Sequence, residues 1–457
     1  AHARTYLALV RRWEEPLTGG PQQERAIEAI GLDLPNVRSA VRTAAERGDL
    51  RALWTSCRPL QLYFIQRGGR WDDAIETFAE AAERVEAWAS PREGAPDDRV
   101  EVGVTDTPHP DADVGHAVLG RLRAAQAWFH YREGQVDEAK RWAEDALARI
   151  APRAQAHPDD PVLVRALASV RNTLANVAQK QGDLREAARR FEEVRRDALE
   201  RCQERQVAIV ANNLGSVRKS AGDLAGAEAA YREALRINRS RGNRRSEVRN
   251  LINLGTGLLL AGDVPSAEES LRDGLRLARA IGFRSLEPTL LTTLGSVALV
   301  ASRPDAAEAL HREALELVRA TPDPDIEADV RIGLAELALA RGRPASARTD
   351  ARRALRAARR TNDPDTLVQA LLALARSYLA EDRCEQAAYV LGATRVHPPR
   401  SRYLHERAAA VREIVSRVLG EVASEEHLAS GAHGPIDDLM EPDASPEARS
   451  EANERTP

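Results

Sequence analysis

The chain has 457 residues and a net charge of −4 at pH 7, so the molecule as a whole carries no electrostatic signature of nucleic-acid binding. No apolar run reaches the length of a membrane span, and no signal peptide is recognisable. Cys57, Cys202 and Cys384 are too far apart for a paired metal or redox motif, which fits a reducing compartment. We therefore expect a cytoplasmic protein without a membrane segment.

Residues 1–90 predict a helical region of irregular spacing that ends in a degenerate helical hairpin containing Ala74 and Phe78. Residues 91–115 are rich in Pro, Gly and acidic side chains, and we interpret them as an inserted loop. The alternative is an acidic lid. The chain begins inside a helical pattern, and Met440 is its only methionine. We expect it to be a segment of a larger protein.

A forty-residue period organises most of residues 116–395. A glycine such as Gly222 follows eight residues after a recurring leucine, and an alanine such as Ala227 comes five residues after that glycine. Asp223 stands where a cap for the following helix is expected. The pattern predicts helix–turn–helix units that stack into a solenoid, because no single unit can bury its own apolar face. The recurring leucines are Leu174, Leu214, Leu254, Leu294, Leu334 and Leu374.

After this array, residues 396–440 predict a C-terminal helical cap. The pair Leu391-Gly392 precedes it, and the pair Leu419-Gly420 ends its first long helix. Residues 441–457 are rich in Pro, Glu and Ser, and we expect them to be a disordered tail.

The repeated unit resembles the tetratricopeptide repeat (TPR), in a long form of forty residues instead of the usual thirty-four or so. The resemblance implies an all-α fold, a TPR-like solenoid of helical hairpins wound as a right-handed superhelix. The glycine or alanine after each leucine is expected to face the alanine of the second helix, where two backbones approach closely.

Both ends of the chain resemble large bacterial signal-transduction ATPases of the STAND class, including LuxR-type and SARP-type transcriptional regulators. The resemblance implies that the chain is the C-terminal TPR region of such a regulator and contacts an upstream nucleotide-binding domain. The N-terminal residues that carry it are His2-Ala3-Arg4, Tyr6-Leu7, Leu17, Asn36, Arg38-Ser39-Ala40 and Gly48-Asp49. Those near the C-terminus are Leu391-Gly392, Leu419-Gly420, Gly431 and Ile436 to Leu439.

A candidate binding surface follows from the helical period. Positions two and five residues before and after each leucine lie on the opposite face of the first helix, which lines the concave side of a solenoid. Asparagine amides there suit the backbone of an extended peptide, and nearby arginines suit its carboxylates. The alternative is that the asparagines only cap or solvate helix ends. The candidate groove residues are Asn172, Asn176, Gln179, Asn212, Asn213, Ser216, Lys219, Arg245, Arg249 and Asn253.

Two charged clusters sharpen this prediction. Arginines gather between Arg236 and Arg249, and four acids gather between Asp323 and Asp329. A groove with one basic and one acidic end would orient a charged ligand. Each cluster could instead be a solvated turn.

The sequence contains no phosphate-binding loop, no nucleophile elbow and no metal-ligand motif, so we expect neither catalysis nor a cofactor or metal in this chain. The function most consistent with the resemblance is a sensor that binds a peptide or partner protein and controls an upstream ATPase. A stand-alone TPR scaffold is the main alternative. A third is nucleic-acid binding through the basic helix at residues 352–360, and the small net charge argues against it.

Overall fold

The computed structural model describes residues 2–17, 22–67, 71–89, 112–361 and 363–440. In these ranges the chain forms 22 α-helices and two short 3-10 helices, and they contain no strand. Most of the segment interpreted as an inserted loop, residues 91–111, and the predicted tail, residues 441–457, lie outside the described residues. Within them, no helix is long and apolar enough to cross a membrane.

The chain divides into two units, Ala1–Val194 and Arg195–Pro457. The N-terminal unit contains α1 (His2–Arg12), α2 (Glu14–Leu17), α3 (Gln23–Leu32), α4 (Leu34–Glu46), α5 (Leu50–Arg67), α6 (Asp72–Ala89), α7 (Ala112–Arg132), α8 (Val136–Ala156) and α9 (Pro161–Lys180). Helix α10 (Leu184–Glu200) contains the boundary. The repeats of the C-terminal unit are formed by α11 (Glu204–Ser220), α12 (Leu224–Ser240), α13 (Arg244–Leu260), α14 (Val264–Ala280), α15 (Glu287–Val300), α16 (Pro304–Ala320), α17 (Pro324–Ala340), α18 (Pro344–Ala358), α19 (Pro364–Leu379) and α20 (Cys384–Val396).

The first core of the N-terminal unit is aromatic. Phe129 of α7 stacks on Phe78 of α6 with ring centroids 5.8 Å apart, and Phe64 of α5 meets Phe129 edge-on at 5.9 Å. All three rings are buried. Offset and edge-on pairs of this kind add to the stabilisation from burial alone, so helices α5, α6 and α7 are held by one shared cluster.

The turn inside each hairpin confirms the predicted break. The N–H of Asp223 donates to the carbonyl of Arg218 at 2.9 Å, and Gly222 between them has a φ of 84°. This left-handed conformation ends α11, and glycine adopts it at little cost in free energy. The Asp223 carboxylate then accepts from the N–H of Gly226 at 2.9 Å and caps α12. Ser302 and Asp382 take the same left-handed conformation without being glycines.

Five of the six recurring leucines lie in the core, as the period predicts, whereas Leu334 is only partly buried. Leu214, Leu254 and Leu294 are each at most 5% exposed. The small residue that follows them faces the second helix, as expected, because a Cβ on Gly255 would lie 3.2 Å from the carbonyl oxygen of Ala267. It also borders a larger side chain of that helix. A Cβ on Gly215 would meet the ring of Tyr231 at 2.6 Å. The glycine therefore makes room for a large core side chain four residues after the alanine of the second helix.

The C-terminal cap departs from the hairpin pattern. It consists of α21 (Arg402–Leu419), α22 (Glu421–His433) and a 3-10 helix, η2 (Ile436–Met440). Helix α22 packs mainly on α20, and a Cβ on either Gly392 or Gly431 would overlap the backbone of the facing helix. These two glycines, which belong to the resemblance to the regulators, allow the two backbones to meet.

The same cap bears on the nucleic-acid alternative. Arg356 of α18 donates to the carbonyl of Met440 at 2.7 Å, and Arg359 pairs with Asp437 at 2.9 Å. Helix η2 therefore covers part of the basic face at residues 352–360 and supplies an acid to it. This arrangement weakens the case for a phosphate backbone at that face.

Candidate functional site: the groove face of the C-terminal unit

The first helices of neighbouring hairpins, α11, α13, α15, α17 and α19, contact one another in series. Such contacts are expected on the inner side of a solenoid, where the units come closest. We define the groove face as the positions two and five residues before and after each recurring leucine. These positions lie opposite a buried leucine, because each residue advances the helix by about 100°. In α11 and α13 they include Asn212, Ser216, Lys219, Arg249 and Thr256.

Three of the predicted groove residues belong to the N-terminal unit, where they follow one face of α9. The side-chain amide of Asn176 donates to the backbone carbonyl of Asn172 at 2.8 Å. This bond orients Asn176 along the helix axis. Asn172, Asn176 and Gln179 are all half-buried. They form a polar strip within that unit.

In the C-terminal unit the asparagines bind one another. The oxygen Oδ1 of Asn212 accepts from the Nδ2 groups of Asn250 and Asn253, both at 2.9 Å. Asn238 in turn donates to Asn250 at 2.7 Å. Asn212 and Asn253 were both expected to bind a ligand, but one hydrogen-bonding group of each side chain is engaged in this network. The acceptor of Asn212 and the donor of Asn253 are used inside the protein, while the donor of Asn212 and the acceptor of Asn253 take no part in this network.

Asn238 and Asn250 were not recognised from the sequence, and they are almost completely buried. A buried amide without a partner is costly, so the network fixes the side chain of Asn212 in one orientation. Asn238 lies on the second helix α12, outside the positions that the helical period selects. Its role becomes visible only when α12 and α13 are packed together.

Arg245 and Arg249 lie side by side over one aromatic ring. Their guanidinium carbons are 4.9 Å and 5.3 Å from the ring centroid of Phe283. Both arginines are exposed, whereas Phe283 is buried. Cation–π contact holds the flat faces of the two guanidinium groups. Their edges, which carry the N–H donors, suit a carboxylate that reaches the start of α13.

The rest of the basic cluster is largely neutralised. Glu247 pairs with Arg239 at 2.8 Å and with Arg244 at 3.4 Å, and Arg241 pairs with Glu204 at 3.4 Å. Three arginines of the sequence run therefore take part in internal ion pairs, while Arg245 and Arg249 stack over Phe283.

The acidic cluster lies at the start of α17. The Asp323 carboxylate caps the helix by accepting from the N–H groups of Asp325 at 3.0 Å and Ile326 at 3.3 Å. Burial, together with the carboxylates of Asp325, Asp363 and Asp323, raises the pKa of Asp329 to about 7. The residue nevertheless keeps an exposed surface, and the three like charges around it also disfavour its ionised form.

Lys219 ends the groove face of α11. Burial lowers the pKa of its ammonium group, and the facing carboxylate of Asp365 partly offsets this shift. Asp365 begins α19 and accepts from the backbone N–H groups of Arg400 at 2.6 Å and Ser401 at 3.2 Å. Beside Lys219, a Cβ on Gly222 would lie 3.1 Å from the side chain of Arg402. The segment that leads into α21 therefore borders the end of α11.

Helix α21 also reaches the later part of the groove face. Glu336 of α17 forms ion pairs with Arg376 of α19 and with Arg407 of α21, the latter at 3.2 Å. Glu336 and Arg376 were missed in the sequence analysis. The rule of two residues after the leucine, applied to Leu334 and Leu374, selects both. The ion pairs of Glu336 therefore border the part of the face on α17 and α19.

The arrangement is suited to recognition. Amides, hydroxyls and a stacked arginine pair line one surface, and within the described residues no group of three His, Cys, Asp or Glu side chains is placed to hold a metal ion. Such a surface can donate to carboxylates and to the carbonyl groups of a peptide.

Comparisons with known proteins agree with the repeat structure. Two models of the tetratricopeptide repeat match the chain, one at residues 167–203 and the other at residues 206–280 and 286–360. None of the curated protein sequences matches it significantly.

Several solved structures are similar in fold. A Rap protein complexed with competence and sporulation factor is 11% identical, with a TM-score of 0.50, and the match covers 91% of this chain and 98% of that one. Aspartyl phosphate phosphatase F from Bacillus subtilis is 10% identical, also with a TM-score of 0.50, and the match covers 93% and 94% of the two chains.

A STAND protein with a tetratricopeptide repeat sensor from Pyrococcus horikoshii is 13% identical, with a TM-score of 0.45, over 79% of this chain and 52% of that one. For the two structures with a TM-score of 0.50, identities this low show a likeness of fold. The described chain is therefore a TPR-like solenoid of helical hairpins.

Proposed function

We propose that this chain is a protein-interaction module that binds an extended, acidic peptide segment on the groove face of its C-terminal unit. The observation that carries the proposal is the pair Arg245 and Arg249, stacked over Phe283 at the edge of the face. Two fixed guanidinium groups favour a carboxylate over a neutral ligand. Asn212 lies on the same face and Asn253 flanks it, and together they offer one donor and one acceptor to a peptide backbone.

The ligand is proposed to regulate a nucleotide-binding domain outside this chain. The resemblance of residues near both ends to STAND-class regulators supports this role, and the repeat fold is of a kind that serves interaction. In this proposal the chain needs no cofactor. Binding is communicated from hairpin to hairpin, and within the C-terminal unit the first helices contact one another in series.

The first test uses a fluorescein-labelled hexaglutamate peptide and fluorescence anisotropy at low and high salt. The double change Arg245→Glu and Arg249→Glu should weaken binding at least about tenfold at low salt and flatten its salt dependence, because attraction is replaced by repulsion.

The matched control is Arg272→Glu with Arg276→Glu on the second helix α14, where both arginines are exposed. It changes the net charge of the protein by the same amount. An equal loss of affinity in the two double variants would show that hexaglutamate senses only the overall charge, and the proposed site would be wrong.

A further inference from the structure

A surface of two tryptophans and one arginine lies in the N-terminal unit. Trp71 immediately precedes α6 and Trp128 lies near the end of α7, and their indole rings meet edge-on with centroids 5.9 Å apart. The guanidinium carbon of Arg132 lies 5.7 Å from the ring centroid of Trp71 and 5.4 Å from that of Trp128. We call these three residues the indole cluster.

The indole cluster rests on the aromatic core of the unit. The buried ring of Phe129 lies 5.0 Å from the ring of Trp128 and 5.5 Å from that of Trp71, measured between centroids. The backbone N–H of Trp71 also donates to the carboxylate of Glu133 at 2.7 Å, and this bond ties the start of α6 to the end of α7. The two indoles are therefore held in place from below, while each is only half-buried and keeps part of its surface exposed.

The repeat register places Trp128 on the inner side of its hairpin. It lies six residues before the turn glycine Gly134, just as Ser216 lies six residues before Gly222. Helix α7 contacts α9 within the N-terminal unit, as neighbouring first helices do in the C-terminal unit. Trp128 therefore has the position that faces a ligand in a solenoid of this kind.

Arg132 differs in its electrostatic partners from two other arginines of the same hairpin. Arg123 pairs with Glu86 at 2.8 Å, and Arg149 pairs with the same carboxylate at 3.0 Å. Arg132 is exposed, and within the part of the chain that the structure describes it forms no ion pair. Cation–π contact with the two indoles holds its flat face. The N–H groups at its edges therefore suit a carboxylate from outside the unit.

From this geometry we propose a second binding site, separate from the groove face of the C-terminal unit. Its ligand is a peptide segment that presents a carboxylate and an aromatic ring within one residue of each other. The carboxylate binds the edge of Arg132, and the ring packs on the exposed parts of Trp71 and Trp128. The acid and the ring must be close together, because the guanidinium carbon lies less than 6 Å from both indole centroids.

Charge and residue type both support this occupant. A purely apolar segment would cover the indoles but leave the charge of Arg132 without a counter-charge from the ligand. A purely acidic segment would pair with Arg132 but leave the two indole surfaces in water. Tryptophan and arginine are also the residue types that most often dominate the binding energy of protein interfaces.

Two kinds of segment carry this chemistry, and the experiment distinguishes them. The first peptide, acetyl-Gly-Ser-Asp-Phe-Ser-Gly-amide, has an internal acid beside its ring. The second, acetyl-Gly-Ser-Gly-Phe with a free carboxyl end, has both groups on one residue. Two comparison peptides replace the Asp of the first by Ser or its Phe by Ala. In isothermal titration calorimetry with the full chain, at least one of the first two should bind at least about tenfold more tightly than either comparison peptide.

A charge reversal at the cluster has a matched control in the same hairpin. Arg132→Glu should weaken the binding at least about tenfold, because attraction is replaced by repulsion. Arg141 is also exposed and also lies over an indole, 4.5 Å from the ring centroid of Trp142, but it pairs with Glu138 at 3.7 Å. Arg141→Glu should therefore change the affinity by less than about twofold.

Three outcomes would overturn the second site. One is an equal loss of affinity in Arg132→Glu and Arg141→Glu, which would show that the peptides sense only net charge. Another is that the comparison peptides bind as tightly as the first two, or that no peptide binds at millimolar concentration. The third is binding that survives Arg132→Glu and is lost when Arg245 and Arg249 are changed to Glu, which would assign these peptides to the C-terminal unit. Circular dichroism of each variant checks that the fold is retained.

Discussion

At the scale of single residues, His311 stands out. Its imidazole is completely buried, and neither ring nitrogen has a hydrogen-bond partner. A Cβ on Gly295 or Gly333 would overlap the ring, so two neighbouring first helices leave room for it. Leu271 and Tyr231 hold the equivalent position in the preceding repeats. Burial lowers the pKa of His311 to about 4. The core of this repeat therefore contains an imidazole ring without hydrogen-bond partners.

Replacing His311 with Leu should therefore stabilise the chain at neutral pH by about 1–3 kcal/mol, the usual cost of a buried group without partners. The wild type should also lose stability as the pH falls from about 6.5 to about 4, because the unfolded state takes up the imidazole proton first. Above pH 6.5 both states are neutral and this dependence ends.

Urea unfolding at several pH values measures both effects. His311→Leu should show a weaker fall between pH 6.5 and 4 than the wild type. The control is His405→Gln, since His405 is exposed and its loss should leave the curve nearly unchanged. A variant less stable than the wild type at pH 7 would contradict this account of the core.

A second comparison tests which faces of the first helices are inside. Leu254 is 5% exposed, and Leu254→Ala should cost about 2–5 kcal/mol through the cavity that it leaves. Asn213 is only half-buried, and Asn213→Ala should cost about 1 kcal/mol or less. Equal losses in urea melts would mean that the assigned groove face is wrong.

At the scale of elements, the turn inside each hairpin is specified by backbone geometry. Gly222 and Gly262 have φ of 84°, while Ser302 and Asp382 hold φ of 57° and 58° with a side chain attached. A left-handed conformation costs most side chains about 1–2 kcal/mol. The two non-glycine turns therefore store strain that the other repeats avoid.

The change Asp382→Gly should stabilise the chain by up to about 1 kcal/mol, since it relieves that strain but adds freedom to the unfolded chain. Gly262→Ala should lower the stability of the chain. Because the added Cβ would meet no atom within 4 Å, this variant tests the backbone strain alone. Thermal unfolding of the two variants measures the difference. A loss of stability in Asp382→Gly would show that its carboxylate matters more than the turn conformation.

The helices and turns were easier to predict from the sequence than the side-chain contacts between helices. The spacing of Leu214, Gly222 and Ala227 is set by local helix and turn geometry, so it reveals the hairpin directly. It does not reveal that Asn238 reaches Asn250, because that bond depends on how two helices pack. For the same reason the packing of α22 on α20, through Gly392 and Gly431, does not follow from the repeat period.

At the scale of the whole molecule, each unit has its own core, and the C-terminal unit carries the candidate site. The stacked arginines lie at the start of α13 and the acidic cluster at the start of α17, while α21 borders the later helices through Glu336. The charges therefore change sign along the series of first helices. That order gives a bound acidic segment a preferred position near α13.

The central claim is that an acidic segment binds the groove face near α13. The most direct measurement is photo-crosslinking of a hexaglutamate peptide with a central photoreactive residue, followed by mass spectrometry of the crosslinked chain. Crosslinks are expected within α11 and α13, around Asn212 and Asn253, and they should disappear when Arg245 and Arg249 are changed to Glu. Crosslinks concentrated on the second helices α12 and α14, or within residues 91–115, and unaffected by these changes, would contradict it.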